Sequence, residues 1–123
     1  MKNRIWFIVQ EVVNLLKIGL MPKIFEYLGI LIFFYSNDHE PIHVHGKYEI
    51  FESKAEFFIE NGRIVKIVIK SVKGVSPLKG SKLKDFEDFI KEYGDRIIDK
   101  WINYFVLHKE VDFERIERRL KWK

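Results

Sequence analysis

Short segments in which apolar residues run together or alternate with polar ones predict five β-strands before residue 70. The predicted strands cover residues 24–27, 30–35, 42–50, 55–59 and 65–69. Leu28-Gly29 and Asn61-Gly62 separate neighbouring strands, and Asn-Gly readily adopts the positive φ angles of a two-residue hairpin turn. Strands joined by such turns pair antiparallel, so we expect an antiparallel sheet.

From Ser81 onward the apolar residues recur at helical spacing, which predicts two consecutive helices. Ser81 is a suitable N-cap for the first helix, Gly94 ends it, and Asp95 caps the second, which carries Trp101. A further short amphipathic helix is predicted over residues 112–120. The expected fold class is therefore α+β: about five antiparallel strands followed by two to three helices, plus an N-terminal amphipathic helix.

The first 20 residues predict an amphipathic helix rather than a signal peptide or a membrane span. Lys2 and Arg4 precede an apolar run, but Gln10 and Glu11 interrupt it and no small-residue cleavage site follows. The run is also too short and too charged to cross a bilayer. Its apolar residues cover more than half of the helix circumference, which predicts a homodimer formed through this helix.

Length and composition indicate one domain in a reducing compartment. A chain of 123 residues that is 47% hydrophobic supports a single core. It contains no cysteine, which favours a cytoplasmic location. We expect an N-terminal helical extension over residues 1–20, one α+β domain over 21–107 and a basic helix or tail over 108–123.

Charge is distributed unevenly along the chain. Residues 37–60 carry six acids and two bases, whereas residues 61–84 carry seven bases and no acid. A basic segment of this kind faces either phosphate, an acidic partner protein or solvent. Lysines in the first turn of a helix, where acids are usually preferred, also suit an anion. The candidate anion-binding or nucleic-acid-binding residues are Lys47, Lys82, Lys84, Arg118, Arg119 and Lys121.

The most versatile side chains lie in one short stretch, where Asp38, His39, His43 and His45 surround Pro41. Side chains two positions apart on a strand project from the same face, so His43 and His45 are predicted to lie together, opposite Ile42 and Val44. Gly46, which follows, suggests a β-bulge. Pro41 should turn the chain so that His39 approaches one of the other two histidines.

Three interpretations of this stretch remain open. In the first, His43 and His45 bind a divalent metal such as zinc, with His39 or Asp38 as a further ligand. In the second, His39, His43 and His45 perform acid–base catalysis on RNA, because imidazole gains and loses a proton near neutral pH. In the third, the histidines form hydrogen bonds that stabilise the turn and the strand and have no chemical role.

The same stretch resembles a known bacterial family. The segments Met21-Pro22-Lys23-Ile24 and Phe34-Tyr35-Ser36-Asn37-Asp38-His39-Glu40-Pro41-Ile42-His43-Val44-His45 are similar to the signature of the family catalogued as domain of unknown function 4160. The resemblance extends over about residues 21–105 and includes a helix that carries a tryptophan, here Trp101. It implies no activity. It implies a gene arrangement similar to toxin–antitoxin modules, in which a second small gene is adjacent.

Two functions follow as hypotheses. The protein is either a toxin–antitoxin-like component that binds or acts on nucleic acid through the histidine motif, or a non-catalytic protein-interaction module of the adaptor or antitoxin type. In the second case the histidine motif is structural. The expected partners are nucleic acid or the product of the neighbouring gene, with no membrane association.

Overall fold

The computed structural model describes residue 5, residues 21–35 and residues 41–121. These residues form a six-stranded sheet with one long helix packed on it. In chain order the elements are β1 (Lys23–Tyr27), β2 (Ile30–Phe33), β3 (His43–Tyr48), β4 (Phe51–Glu60), β5 (Arg63–Ser71), α1 (Gly80–Phe105) and β6 (Glu114–Ile116). Across the sheet the order is β5-β4-β3-β2-β1-β6, so the fold class is α+β as predicted.

The first five strands form the predicted antiparallel meander. Each strand pairs with the next one along the chain. The β1–β2 turn has Leu28 at φ 49° and Gly29 at φ 87°, and the β4–β5 turn has Asn61 at φ 50° and Gly62 at φ 76°. Two consecutive positive φ angles match the right-handed twist of the flanking strands, so these local sequences specify both hairpins.

The sixth strand corrects the prediction of a helix over residues 112–120. Residues 114–116 form β6, which pairs with β1 in a parallel arrangement and makes the sheet mixed rather than antiparallel. Ile116 packs against the core, and the backbone N–H of Leu120 donates a hydrogen bond to the Tyr27 hydroxyl at 3.0 Å. The open edge of β1 therefore determines this conformation, although the local spacing of apolar residues suits a helix.

The helix α1 corrects the prediction of two helices separated at Gly94. It runs without a break from Gly80 to Phe105, and its N-cap is Lys79 rather than Ser81. Gly94 is buried, and a Cβ atom at this position would lie 2.9 Å from Cδ1 of Ile64 on β5. Its glycine therefore permits close approach of the helix to the sheet, and it does not end the helix.

The core lies between α1 and one face of the sheet. Phe86, Phe89, Ile90, Ile97 and Trp101 of the helix are buried with Ile24, Phe25, Val44, Ala55 and Phe57 of the sheet. The Phe25 and Phe89 rings meet edge to face with centroids 5.3 Å apart. Gly46 faces this side too, under the ring of Phe86.

Two strand predictions need correction, and one helix prediction is not addressed. The pairing of β3 with β2 and β4 continues regularly through Gly46, so the expected bulge is absent there. Ile50 lies in the β3–β4 turn and is exposed. The predicted N-terminal helix lies outside the described residues except for Ile5. No helix in the described part of the chain is both long and apolar enough for a membrane span.

A candidate site built on two buried histidines

His43 and His45 lie on the sheet face opposite α1. Val44, between them, is in the core, and Gly46 faces Phe86 of the helix, so the alternation of β3 sends both histidines to the other side. Their ring centroids are 5.2 Å apart. The predicted pairing of the two imidazoles on one face is confirmed.

Both histidines are buried, which the alternation alone does not indicate. His43 is 5% exposed and His45 is 3% exposed. The His45 ring stacks on Phe33 with centroids 5.5 Å apart and meets the Tyr35 ring edge to face at 4.5 Å. This face of the sheet thus contains a second packed region, partly aromatic and partly ionisable, distinct from the core beneath α1.

A buried carboxylate holds the ring of His45. Oε2 of Glu52 lies 3.0 Å from Nδ1 of His45 and accepts a hydrogen bond from the Tyr35 hydroxyl at 3.3 Å. Burial raises the pKa of Glu52 above its usual value, while the Tyr35 hydrogen bond and the positive charge of Lys47 act in the opposite direction. We name the group formed by Tyr35, His43, His45, Glu52 and Glu56 the histidine cluster.

The ring of His43 is held by the turn that precedes its strand. Its Nδ1 lies 2.7 Å from the carbonyl oxygen of Pro41. Glu56 is the cross-strand neighbour of His43 and is itself buried. Its two carboxylate oxygens are close to lysine ammonium groups, Lys70 at 2.8 Å and Lys54 at 3.8 Å, so this buried charge is compensated.

These partners determine which ring nitrogen carries the proton. The Pro41 carbonyl can only accept a hydrogen bond, so Nδ1 of His43 must donate. An ionised Glu52 also only accepts, so Nδ1 of His45 donates as well. In their neutral forms both imidazoles therefore carry the lone pair on Nε2.

The candidate site predicted from the sequence lacks three members of the histidine cluster, namely Tyr35, Glu52 and Glu56. Glu52 and Glu56 alternate with Ser53, Ala55 and Phe57 of β4. Ala55 and Phe57 are core residues, so the same parity rule places both carboxylates on the histidine face. The alternation of β4 was the signal that could have identified them. The approach of Tyr35 depends on how β2 pairs with β3, which local sequence does not specify.

The structure brings together only part of the predicted site. Asp38 and His39 lie outside the described residues. Within residues 21–35 and 41–121, no group of three or more histidine, cysteine, aspartate or glutamate residues is arranged to hold a metal ion. Lys47 is exposed on β3, and its positive charge acts to lower the pKa of Glu52.

Three of the six predicted anion-binding residues have partners within the chain. Lys82 donates a hydrogen bond to the Leu28 carbonyl at 2.5 Å and lies over the Tyr48 ring. Lys84 pairs with Asp88 at 2.8 Å, four residues along the helix, and this hydrogen bond raises the pKa of Lys84.

One of the basic residues near the C-terminus, Arg119, has a partner on the helix. Arg119 pairs with the buried Asp85 of α1 at 2.7 Å, and this hydrogen bond raises the pKa of Arg119. Arg118 and Lys121 are exposed. The C-terminal segment therefore uses one of its three candidate cations to fasten itself to the helix.

Comparison with known proteins places this fold and site in a family. Residues 29–102 match the family described as Domain of unknown function (DUF4160). The match covers more than half of the chain. The chain belongs to this family. The matched DUF4160 region begins in the β1–β2 turn and ends near the C-terminus of α1, so it includes His43, His45 and Glu52 but not β6. No curated protein and no solved structure matches the chain significantly.

Proposed function

We propose that this DUF4160 protein is a non-catalytic module that binds a partner protein, and that its histidine motif is structural. The observation that carries the proposal is the burial of His43 and His45, at 5% and 3% exposure, together with their hydrogen bonds through Nδ1. A general acid or base must come within hydrogen-bond reach of the group on which it acts. Side chains so deeply buried do not meet that requirement for a polymeric substrate such as RNA.

The packing around His45 supports a structural role. The ring contacts Phe33 and Tyr35 and is the hydrogen-bond partner of a buried glutamate. Removing it would leave both a cavity and a buried carboxylate without one of its donors, and each of these is costly. The motif thus joins β2, β3 and β4 through side chains.

The first test measures how much His45 contributes to the stability of the fold. His45→Ala should lower the free energy of unfolding by about 3 kcal/mol, from the cavity and the lost hydrogen bond. His108→Asn, at an exposed position outside the sheet with φ 54°, is the control and should change little, because asparagine also tolerates this backbone conformation. Urea unfolding measures both effects.

Catalysis requires its own measurement. Wild type and His43→Ala are incubated with total RNA over a range of pH and added divalent metals. The proposal expects intact RNA with both proteins. RNA cleavage by wild type that is lost in His43→Ala would contradict it.

Coexpression with the product of the neighbouring gene tests the proposed binding role. The gene arrangement implied by the family resemblance makes the adjacent small protein the first candidate. The two proteins are coexpressed with a tag on one, and copurification at a fixed ratio is the expected result. A monodisperse chain that binds neither this protein nor nucleic acid would count against the binding role.

The hydrogen bonds and the spacing of the two histidines favour a second candidate, a metal site. Histidines that bind a metal usually donate their other ring N–H to a carboxylate or a backbone carbonyl, as His45 and His43 do to Glu52 and Pro41. Two imidazoles on one tetrahedral zinc would place their centroids about 5 Å apart; the observed separation is 5.2 Å. Asp38 and His39 remain the proposed further ligands.

Elemental analysis tests this candidate. The purified wild-type protein is compared with a variant in which His43 and His45 are both alanine. A stoichiometric metal that is lost in the variant would establish the site. A metal-free wild-type protein that also fails to retain added zinc through gel filtration would remove it.

A further inference from the structure

We propose that the exposed edge of β5 binds an extended, acidic segment of a partner protein, which adds to the sheet as a further strand. This inference rests on the proposed binding function and specifies its surface and the chemistry of its partner. The surface consists of β5 and the groove between β5 and α1. Four observations support it: the open edge, the position of a bulge, the charge and the groove.

β5 is a long strand with one side unpaired within the described part of the chain. It spans nine residues, Arg63–Ser71, and pairs with β4. It is the last strand in the sheet order, and none of the described strands pairs with its other side. The backbone N–H and C=O groups on that side can pair with an extended peptide.

A bulge limits the part of the strand that is available for pairing. Ile59 pairs with Ile64 and Phe58 pairs with Lys66, so Val65 is an extra residue on β5. Bulges twist an edge and interrupt regular pairing. Pairing is regular from Lys66 onward, so residues 66–71 form the docking segment.

The positive charge of β5 favours an acidic partner strand. Arg63, Lys66 and Lys70 lie on β5, and the chain carries no acid between residues 61 and 84. Lys66 and Lys70 share the sheet face opposite α1, and Lys70 is half exposed although it pairs with Glu56. A second copy of β5 would bring lysines against lysines, which is unfavourable, whereas acidic residues at alternate positions would face them favourably.

The other face of the edge is indented. Two isoleucines of β5, Ile64 and Ile67, line a cavity of about 540 Å³ between the strand and the helix, together with Gly62, Arg63, Lys91, Glu92 and Asp95. Both isoleucines are only partly buried, although they pack against the core. A strand added beside residues 66–71 alternates its side chains, so its acidic residues would face Lys66 and Lys70 while its apolar residues lie on the α1 side of the sheet, over the partly buried Ile67 and Ile69.

The probe is an end-capped eight-residue peptide of alternating glutamate and valine. The matched control peptide has glutamine in place of every glutamate. Each peptide is titrated into the full-length protein, and backbone amide exchange is followed residue by residue by NMR. The expected result is added protection of amides within residues 66–71 by the glutamate peptide, with at least fivefold weaker binding of the glutamine peptide.

Two variants locate the interaction. Lys66→Glu replaces attraction by repulsion and should weaken binding of the glutamate peptide by about fivefold. Lys23→Glu makes the same change at an exposed position of β1, which lies near the opposite edge of the sheet from β5, and should leave binding unchanged. Both substitutions are at exposed sites, so folding should be retained.

Several results would overturn the inference. They are equal binding of both peptides, protection outside β5, or binding that Lys66→Glu leaves unchanged. Protection of β5 that grows with protein concentration in the absence of peptide would assign the edge to a second copy of the chain. These outcomes are distinct from failure of the proposed function, because RNA cleavage that depends on His43 can occur whether or not β5 binds a strand.

Discussion

Gly46 of β3 lies directly against the ring of Phe86 on the helix. An ideal Cβ atom on it would lie 2.3 Å from Cε1 and 2.5 Å from Cδ1 of Phe86. The ring of Phe86 is fully buried, so it cannot move aside without disturbing its neighbours. Glycine is required here by space and not by backbone conformation.

Gly46→Ala should lower the free energy of unfolding by about 2–3 kcal/mol, as overpacking does in other cores. Phe86→Leu, which removes ring atoms from the contact, should reduce the cost of the same substitution. Urea unfolding of the four proteins in this double-mutant cycle measures the coupling. Additive effects of the two substitutions would mean that the ring is not the obstacle.

Glu52 should make stability depend on pH in a predictable direction. Its pKa in the folded state is raised above 4.5 by burial, so the folded protein retains a proton that the unfolded chain releases. Stability should therefore fall as pH rises from about 4.5 through the raised pKa of the folded state. Glu52→Gln removes this titration, so its unfolding free energy should lack that decline.

Urea unfolding of wild type and Glu52→Gln at several pH values from 4 to 8 measures the difference in slope. The exposed Glu60 at the end of the same strand provides the matched control, Glu60→Gln, which should retain the wild-type slope. A slope unchanged by Glu52→Gln would show that this carboxyl does not titrate differently in the two states.

At the scale of elements, ion pairs join the short strand β6 both to the helix α1 and to its neighbour β1. Arg96 and Lys100 of α1 both pair with Glu114, and Arg115 pairs with Glu26 of β1 at 3.0 Å. Burial by itself would raise the pKa of Glu114. The hydrogen bonds from Lys100 and Arg96 outweigh burial, so the pKa of Glu114 is lowered. Ion pairs therefore position a three-residue strand that is too short to be held by its backbone pairing alone.

Glu114→Gln should lower stability near neutral pH by less than about 1 kcal/mol, because solvent screens this partly exposed group. A lowered pKa stabilises the fold above about 4.5 and loses that contribution as pH falls through the lower folded value. The destabilisation should thus be present at pH 7 and absent at pH 2. Urea unfolding at both values measures it, with Glu110→Gln as an exposed control.

At the scale of the whole molecule, the protein presents two surfaces of different character. α1 covers one face of the sheet with the apolar core, and the opposite face carries the histidine cluster with lysines around it. The basic residues of β5 lie at one edge, while β6 and the C-terminal segment complete the other. Partner binding at the β5 edge would reach the histidine cluster only through Lys70, which pairs with Glu56.

The homodimer predicted through residues 1–20 stays a prediction, because this segment lies outside the described residues apart from Ile5. Light scattering of the full chain should give twice the monomer mass, since one domain cannot cover a helix that is apolar over most of its surface. A chain that starts at Met21 should be monomeric. If the full chain and the shortened chain are both monomers, or both dimers, the interface is not formed by this helix.

Features that depend on neighbouring residues follow directly from the amino-acid sequence. Asn61-Gly62 specifies a hairpin because both residues accept positive φ. Alternation along β3 placed His43 and His45 on one face because strand side chains repeat every two residues. The family was also apparent from the motif around Pro41, because it follows residue identities and not contacts.

Features that depend on distant residues follow from how the folded chain packs. Residues 114–116 form a strand because β1 offers an open edge, and Gly94 lies inside α1 because the helix packs so closely on Ile64 of the sheet that a Cβ atom has no room there. Glu52 joined His45 through the pairing of β3 with β4. The burial of that pair followed from packing across several strands, and no local pattern records which surfaces will meet when the chain folds.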